Sequence, residues 1–219
     1  MAADRQPPLL RLALPTGVAA MAAALFGVYW DDAWHTDRGR DEFLSPPHLV
    51  LYIGIMGLLA VTMGLAAGNV RRGARSRPLR LCMTGAAFVV VSAPVDEWWH
   101  QAFGRDAVLW SPPHLAAIAL ATGIALLAPG LEPGARRPLT IAAGAGVIGA
   151  WQVLVLEYDT DVAQFPAVWY LPVMAVAVTA ASTTLHATAT AVARWPATQA
   201  AVAYTLAMAG VGIGLAWAG

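Results

Sequence analysis

Four of the chain's five histidines fall in two matched clusters, each with carboxylates at fixed spacing. The first cluster reads Asp31-Asp-Ala-Trp-His35, then Gly39-Arg-Asp41, then Ser45-Pro-Pro-His-Leu49. The second reads Asp96-Glu-Trp-Trp-His100, then Gly104-Arg-Asp106, then Ser111-Pro-Pro-His-Leu115. Asp31, His35 and Asp41 map onto Asp96, His100 and Asp106 at an offset of 65, and Ser45 to Leu49 map at 66. Eleven positions are identical and most of them are polar, so an apolar composition bias does not account for the match. One carboxylate and two imidazoles suit zinc, copper or non-haem iron, with coordination positions left open for water or dioxygen. The candidate ligands are therefore Asp31, His35 and His48 in the first cluster, and Asp96, His100 and His114 in the second. Asp32 and Glu97, three residues before their histidines, are alternative ligands. Asp41 and Asp106 are candidates to accept a hydrogen bond from a ligating imidazole and so orient it. No catalytic group stands out beyond these ligands.

These residues need helices to bring them together. Asp31 and His35 are four apart and share a helix face, as do Asp96 and His100. His48 and His114 each follow Ser-Pro-Pro. Serine is a favoured N-cap and proline a favoured first helical residue, so each histidine opens a returning helix. The partial positive charge of a helix start disfavours an imidazolium there and favours the neutral ring that binds metal. Each unit is thus a helical hairpin whose short loop returns its second histidine to the carboxylate. The repeat units span about residues 28–68 and 94–127.

The composition places these hairpins in a lipid bilayer. The 219 residues are 58% hydrophobic and 12% charged, roughly half the charge usual for a soluble domain. Seven stretches approach or exceed the roughly 20 apolar residues that span a bilayer core. They are about Leu12–Trp34, Pro46–Gly68, Arg80–His100, Pro112–Leu127, Leu139–Glu157, Pro166–His186 and Ala197–Ala218. The expected fold is all-α: a single transmembrane domain over 1–219, built as a seven-helix bundle with a duplicated hairpin. The first run is too long for a typical signal core and reads as a retained helix. Ten arginines (5, 11, 71, 72, 75, 77, 80, 136, 137 and 194) fall on one side of such a bundle, and eleven of the thirteen acids fall on the other. The arginine side is expected to be cytoplasmic, with the N-terminus. Both clusters then face the extracytoplasmic side of the plasma or inner membrane.

Other residues carry less. Zero net charge gives a nucleic-acid partner no electrostatic support. The single cysteine, Cys82, excludes a disulfide framework or a thiolate cluster. His186 lies at the opposite end from the clusters and has no assigned role. Glu157, Asp159 and Asp161 are expected to be solvated loop acids, and the glycines to serve helix packing. A lone histidine near an interface is more often a capping residue than a ligand. Repetition of the whole pattern is what favours metal binding.

The ligand spacings resemble those of the C subunit of particulate methane monooxygenase and ammonia monooxygenase, the copper-dependent membrane monooxygenases. That subunit has an Asp-x3-His-x12-His site beside an Asn-x3-His-x13-His site. Here Asp31-x3-His35-x12-His48 has the first spacing and Asp96-x3-His100-x13-His114 the second, within a resemblance covering about residues 28–118. The resemblance implies one or two copper ions held by these ligands, activation of dioxygen, oxidation of a small or hydrophobic substrate, and an external electron donor. Asp96 stands where the family has asparagine, which implies similar metal affinity at both sites. The chain is shorter than the family subunit. The resemblance leaves open additional subunits or a free-standing homo-oligomer. It also leaves open Asp31 against Asp32, and a mononuclear pair against a dinuclear centre. Two other functions fit the same ligands: a seven-helix membrane zinc hydrolase, and a copper-binding or transport protein without catalysis. The scattered methionines and the lack of a ligand ladder across the spans argue against transport.

Overall fold

The computed structural model describes residues 8–38, 44–71, 77–103, 118–120, 122, 137–156, 168, 170–189 and 193–218. All regular structure among them is helical, with no strand. The helices are α1 (Pro8–Arg38), α2 (Pro46–Arg71), α3 (Arg77–Phe103), α4 (described only at 118–120 and 122), α5 (Arg137–Leu156), α6 (Tyr170–Ala189) and α7 (Pro196–Ala218). The fourth expected span, Pro112–Leu127, lies mostly outside the described residues. Three helices contain segments long and apolar enough to cross a membrane: Leu12–Trp34, Pro46–Gly68 and Pro196–Ala216.

Several helix ends lie further out than hydropathy suggests. α1 continues four residues past Trp34 to Arg38, because none of residues 35–38 is a helix breaker. α3 starts at Arg77 and runs to Phe103, bracketing its apolar stretch with charged turns. α6 runs three residues past His186 to Ala189, and residues 166, 167 and 169 before it lie outside the described residues. Hydropathy reports where water would be excluded, whereas caps and breakers report where a helix stops.

Large aliphatic side chains face outward on several helices. Ile53, Met63, Val91, Leu171, Leu206 and Ile213 are each more than 60% exposed. A soluble monomer rarely presents so much apolar surface, whereas a lipid environment accepts it. The core is held by Leu14, Met21, Leu58, Leu65, Cys82, Leu120 and Leu185, each less than 5% exposed.

α5 is the hub, and its glycines explain why. A Cβ on Gly146 would collide with Met21 of α1, and one on Gly149 would stand 2.9 Å from Leu25 Cδ1 of α1. Gly144 lies against Leu185 of α6 and Ala200 of α7, and Gly149 faces Tyr204 of α7. These pairings fix direction: α1, α5 and α7 run one way. Val147 packs in one cluster with Ala181, so α6 runs the other way. Arg137 binds Gln199 Oε1 through Nε and Nη2, at 3.3 and 2.9 Å, and joins the starts of α5 and α7. Trp151 Nε1 donates to Thr122 Oγ1 at 3.2 Å and ties α5 to α4. Thr122→Val is expected to remove about 0.5–1 kcal/mol of stability, read by denaturant unfolding in detergent with Thr122→Ser as the retaining control.

Candidate metal centre

A seam of small residues brings α1 and α2 together. Ala20, Ala24 and Gly27 of α1 meet Gly57, Gly54 and Leu51 of α2 in antiparallel register. A Cβ on Gly27 would stand 2.6 Å from Leu51 N, and one on Gly57 would stand 2.7 Å from Ala20 Cβ. A Cβ on Gly54 would collide with the backbone of Ala24. Missing side chains let two helix backbones approach this closely. Spacings of four, three and four residues keep positions 20, 24, 27 and 31 on one helical face. The seam therefore continues into Asp31, and on α2 into His48.

The start of α2 sets His48. The Leu49 amide donates to the Ser45 carbonyl at 3.0 Å, closing the first turn, and Ser45 is buried. Ser45 thus sits at the N-cap and Pro46 at the first helical position. Pro46 and Pro47 carry no N–H, so two of the donors that a helix start normally leaves unsatisfied are absent. His48 is the third helical residue and points back across the seam.

His48 Nε2 lies 3.2 Å from Asp31 Oδ1, with the two side chains 21% and 20% exposed. Asp31 Oδ1 itself is shielded from solvent. Asp31 is three residues inside the outer limit of the first apolar span, and His48 two residues inside the second. A carboxylate at that depth is expensive without a cation or donor facing it, and such residues mark functional sites by default. The distance also fits a shared metal. A carboxylate oxygen and an imidazole nitrogen bound to one tetrahedral ion at about 2.0–2.1 Å stand roughly 3.3 Å apart. The donor set present, one oxygen and one imidazole nitrogen, suits copper, zinc or iron.

Aromatic side chains cluster toward this end of α1 and α2. The Tyr52 ring lies 5.8 Å from the His48 ring, with planes 24° apart. Phe26, Trp30 and Trp34 form a ladder along α1, with centroid spacings of 5.7 and 6.2 Å. The Arg38 guanidinium caps that ladder 4.3 Å above the Trp34 ring, an interfacial cation–π pair. Tyr29 and Tyr204 meet through their hydroxyls at 3.1 Å and tie α1 to α7 one turn below.

The structure brings Asp31 and His48 together, with Asp32 half-buried beside them. His35 follows Asp31 by one turn of α1, and its side chain lies outside the described residues. Asp96, Glu97 and His100 lie on α3, with their side chains likewise outside. Asp41, Asp106, His114, Glu157, Asp159 and Asp161 also lie outside the described residues. No group of three His, Cys, Asp or Glu side chains converges among the described ones. His186 is exposed near the end of α6. Sequence reasoning missed Tyr52, although its position four residues after His48 on a helix was the available signal.

A family model, a curated protein and a solved structure were each sought for this chain, and none matches.

Proposed function

We propose that the chain is a multi-pass plasma-membrane protein that holds copper at the outer mouths of two duplicated hairpins and serves as a copper-dependent oxygenase or oxygenase component. The observation that carries this reading is the 3.2 Å approach of His48 Nε2 to Asp31 Oδ1 at the shared end of two apolar helices. The sequence pattern supplies the rest: His35 one turn beyond Asp31, and the same ligand types again at Asp96, His100 and His114.

Burial supports the duplication. At the offset of 65, Gly17, Ala20 and Met21 of α1 are buried, as are Cys82, Gly85 and Ala86 of α3. Ala19 and Ala22 are exposed, as are Thr84 and Ala87. Matching positions on the two helices are thus buried and exposed alike, which supports reading them as copies of one unit. Direction supports a common side. Only the five residues 72–76 separate α2 from α3, and a fully extended link of that length reaches about 20 Å. α2 is about 39 Å long. α3 therefore starts near the end of α2, which supports a common side for the two clusters if α3 recrosses the bilayer. Five further helices of 20 or more residues, beside α1 and α4, support the seven-span reading.

Copper, when bound, supplies the one-electron redox change that activates dioxygen. The chain's own residues do the remaining work. Asp31 and the histidines bind and orient the ion. Trp30, Trp34 and Tyr52 limit water at the mouth. The exposed aliphatic faces of the helices offer a hydrophobic substrate a route from the bilayer. An external donor provides electrons. The test is metal analysis of protein purified from copper-replete cells, followed by oxygen uptake with a chemical reductant. One to two copper ions per chain and reductant-dependent oxygen consumption are expected. Stoichiometric zinc without copper would instead mark a membrane hydrolase, and copper without oxygen chemistry a binding or transport protein.

A further inference from the structure

We propose that the two clusters are unequal metal sites, and that Tyr52 is the positioning residue that makes the first the tighter one. The inference rests on the metal-binding reading above and assigns affinity within it. The Tyr52 ring lies against the His48 imidazole at 5.8 Å with planes 24° apart, one turn further along α2. The donor lone pair of an imidazole nitrogen lies in the ring plane. Whatever holds that plane therefore aims Nε2, which here faces Asp31 Oδ1 at 3.2 Å. The seam completes the arrangement, because Gly54 against Ala24 holds α2 close to α1 and keeps the two donors within reach.

The second hairpin carries other residues at the matching sequence positions. At the offset of 66, Tyr52 corresponds to Ile118 and Gly54 to Leu120, which are buried at 5% and 1% exposure. At the offset of 65, Ala24 corresponds to Val89, also buried. The positions of the closest crossing in the first hairpin, alanine against glycine, are thus matched in sequence by valine and leucine. Bulky side chains at a crossing keep backbones apart where small ones let them touch. Ile118 offers no ring face to His114. The second cluster has the same ligand types without a ring at the matching position or small residues at the matching crossing, and affinity falls where the ion must order its own ligands. Matching ligand identity at Asp31 and Asp96 therefore does not produce matching strength.

The experiment uses full-length protein in detergent, stripped of copper and titrated with Cu(I) against a chromophoric chelator. Wild type is expected to show two classes of site, differing about 10-fold or more in affinity. His48→Ala removes the tighter class and His114→Ala the weaker. Tyr52→Ala weakens the tighter class roughly 10–100-fold, the range for residues that orient a ligand, and leaves the weaker class unchanged. Tyr52→Phe, which keeps the ring, retains wild-type affinity. After oxidation to Cu(II), the paramagnetic resonance signal of the tighter class changes in Tyr52→Ala and not in Tyr52→Phe. Two sites of equal affinity, or a Tyr52→Ala protein identical to wild type in affinity and spectrum, would overturn the proposal while leaving metal binding intact. A wild-type protein that binds no copper would overturn the metal-binding reading as well.

Discussion

Replacing Asp31 by asparagine is expected to lower the copper content of the purified protein to about half while leaving the fold in place. The expectation follows from what asparagine keeps and loses. Its side chain has the shape of aspartate and keeps an oxygen facing His48 Nε2 across the 3.2 Å contact. It loses the negative charge that a bound cation requires, and a neutral amide oxygen is a poor ligand for copper or zinc. A purely structural contact between Asp31 and His48 predicts the reverse pattern. Stability would then move by about 1 kcal/mol and the metal content would stay the same. His48→Ala separates the readings less cleanly, because it also leaves the carboxylate buried without its partner. That variant is expected to lose the same half of the metal and to be destabilised by about 1–3 kcal/mol. The fraction lost is itself informative. Half the metal means that each hairpin closes its own site, whereas near-complete loss from Asp31→Asn alone means one shared centre. Full retention in both variants would count against Asp31 and His48 as ligands and direct attention to Asp32.

The helix start at the mouth of the first hairpin is readable from the sequence because its signals are local and chemical. Ser45-Pro46-Pro47 announces a helix start, and α2 does begin at Pro46 with the Ser45 carbonyl closing the first turn. The apolar limits of the first two spans, Leu12–Trp34 and Pro46–Gly68, are readable because hydropathy over about 20 residues averages out local detail. The continuation of α1 to Arg38 is less visible, since the polar residues after Trp34 are neutral toward helix formation. The seam is less visible still. Gly27, Gly54, Gly64 and Gly68 look alike in sequence, but the first two lie against a neighbouring backbone and the last two face open space. The difference depends on which face of each helix meets its partner, and no single helix carries that information. The same holds for the link between Tyr29 and Tyr204, whose 175-residue separation hides it from any local pattern.

That contrast among glycines leads to the largest expected effect on stability. Gly54→Leu is expected to destabilise the protein by about 3 kcal/mol or more, the upper part of the range for overpacking. The reason is the identity of the neighbour. A Cβ at position 54 collides with the backbone of Ala24, and the Ala20 carbonyl oxygen lies 2.7 Å away. A flexible side chain could swing aside, but a helix backbone can yield only by moving the whole of α1. Such a displacement opens the seam at its centre and separates Asp31 from His48 two turns away. The variant should therefore lose the first hairpin's metal together with its stability, although no ligand has changed. Gly64→Ala, ten residues further along the same helix, is the control. Nothing lies within 4 Å of its added Cβ, so only backbone conformational freedom changes. Alanine there should stabilise the helix by about 0.5–1 kcal/mol and leave the copper content untouched. Both variants can be followed by denaturant unfolding in detergent and by copper analysis of the same samples. A Gly54→Leu protein as stable and as metal-loaded as wild type would mean that α1 and α2 do not meet along this seam. The Asp31–His48 contact would then lose the scaffold that positions it.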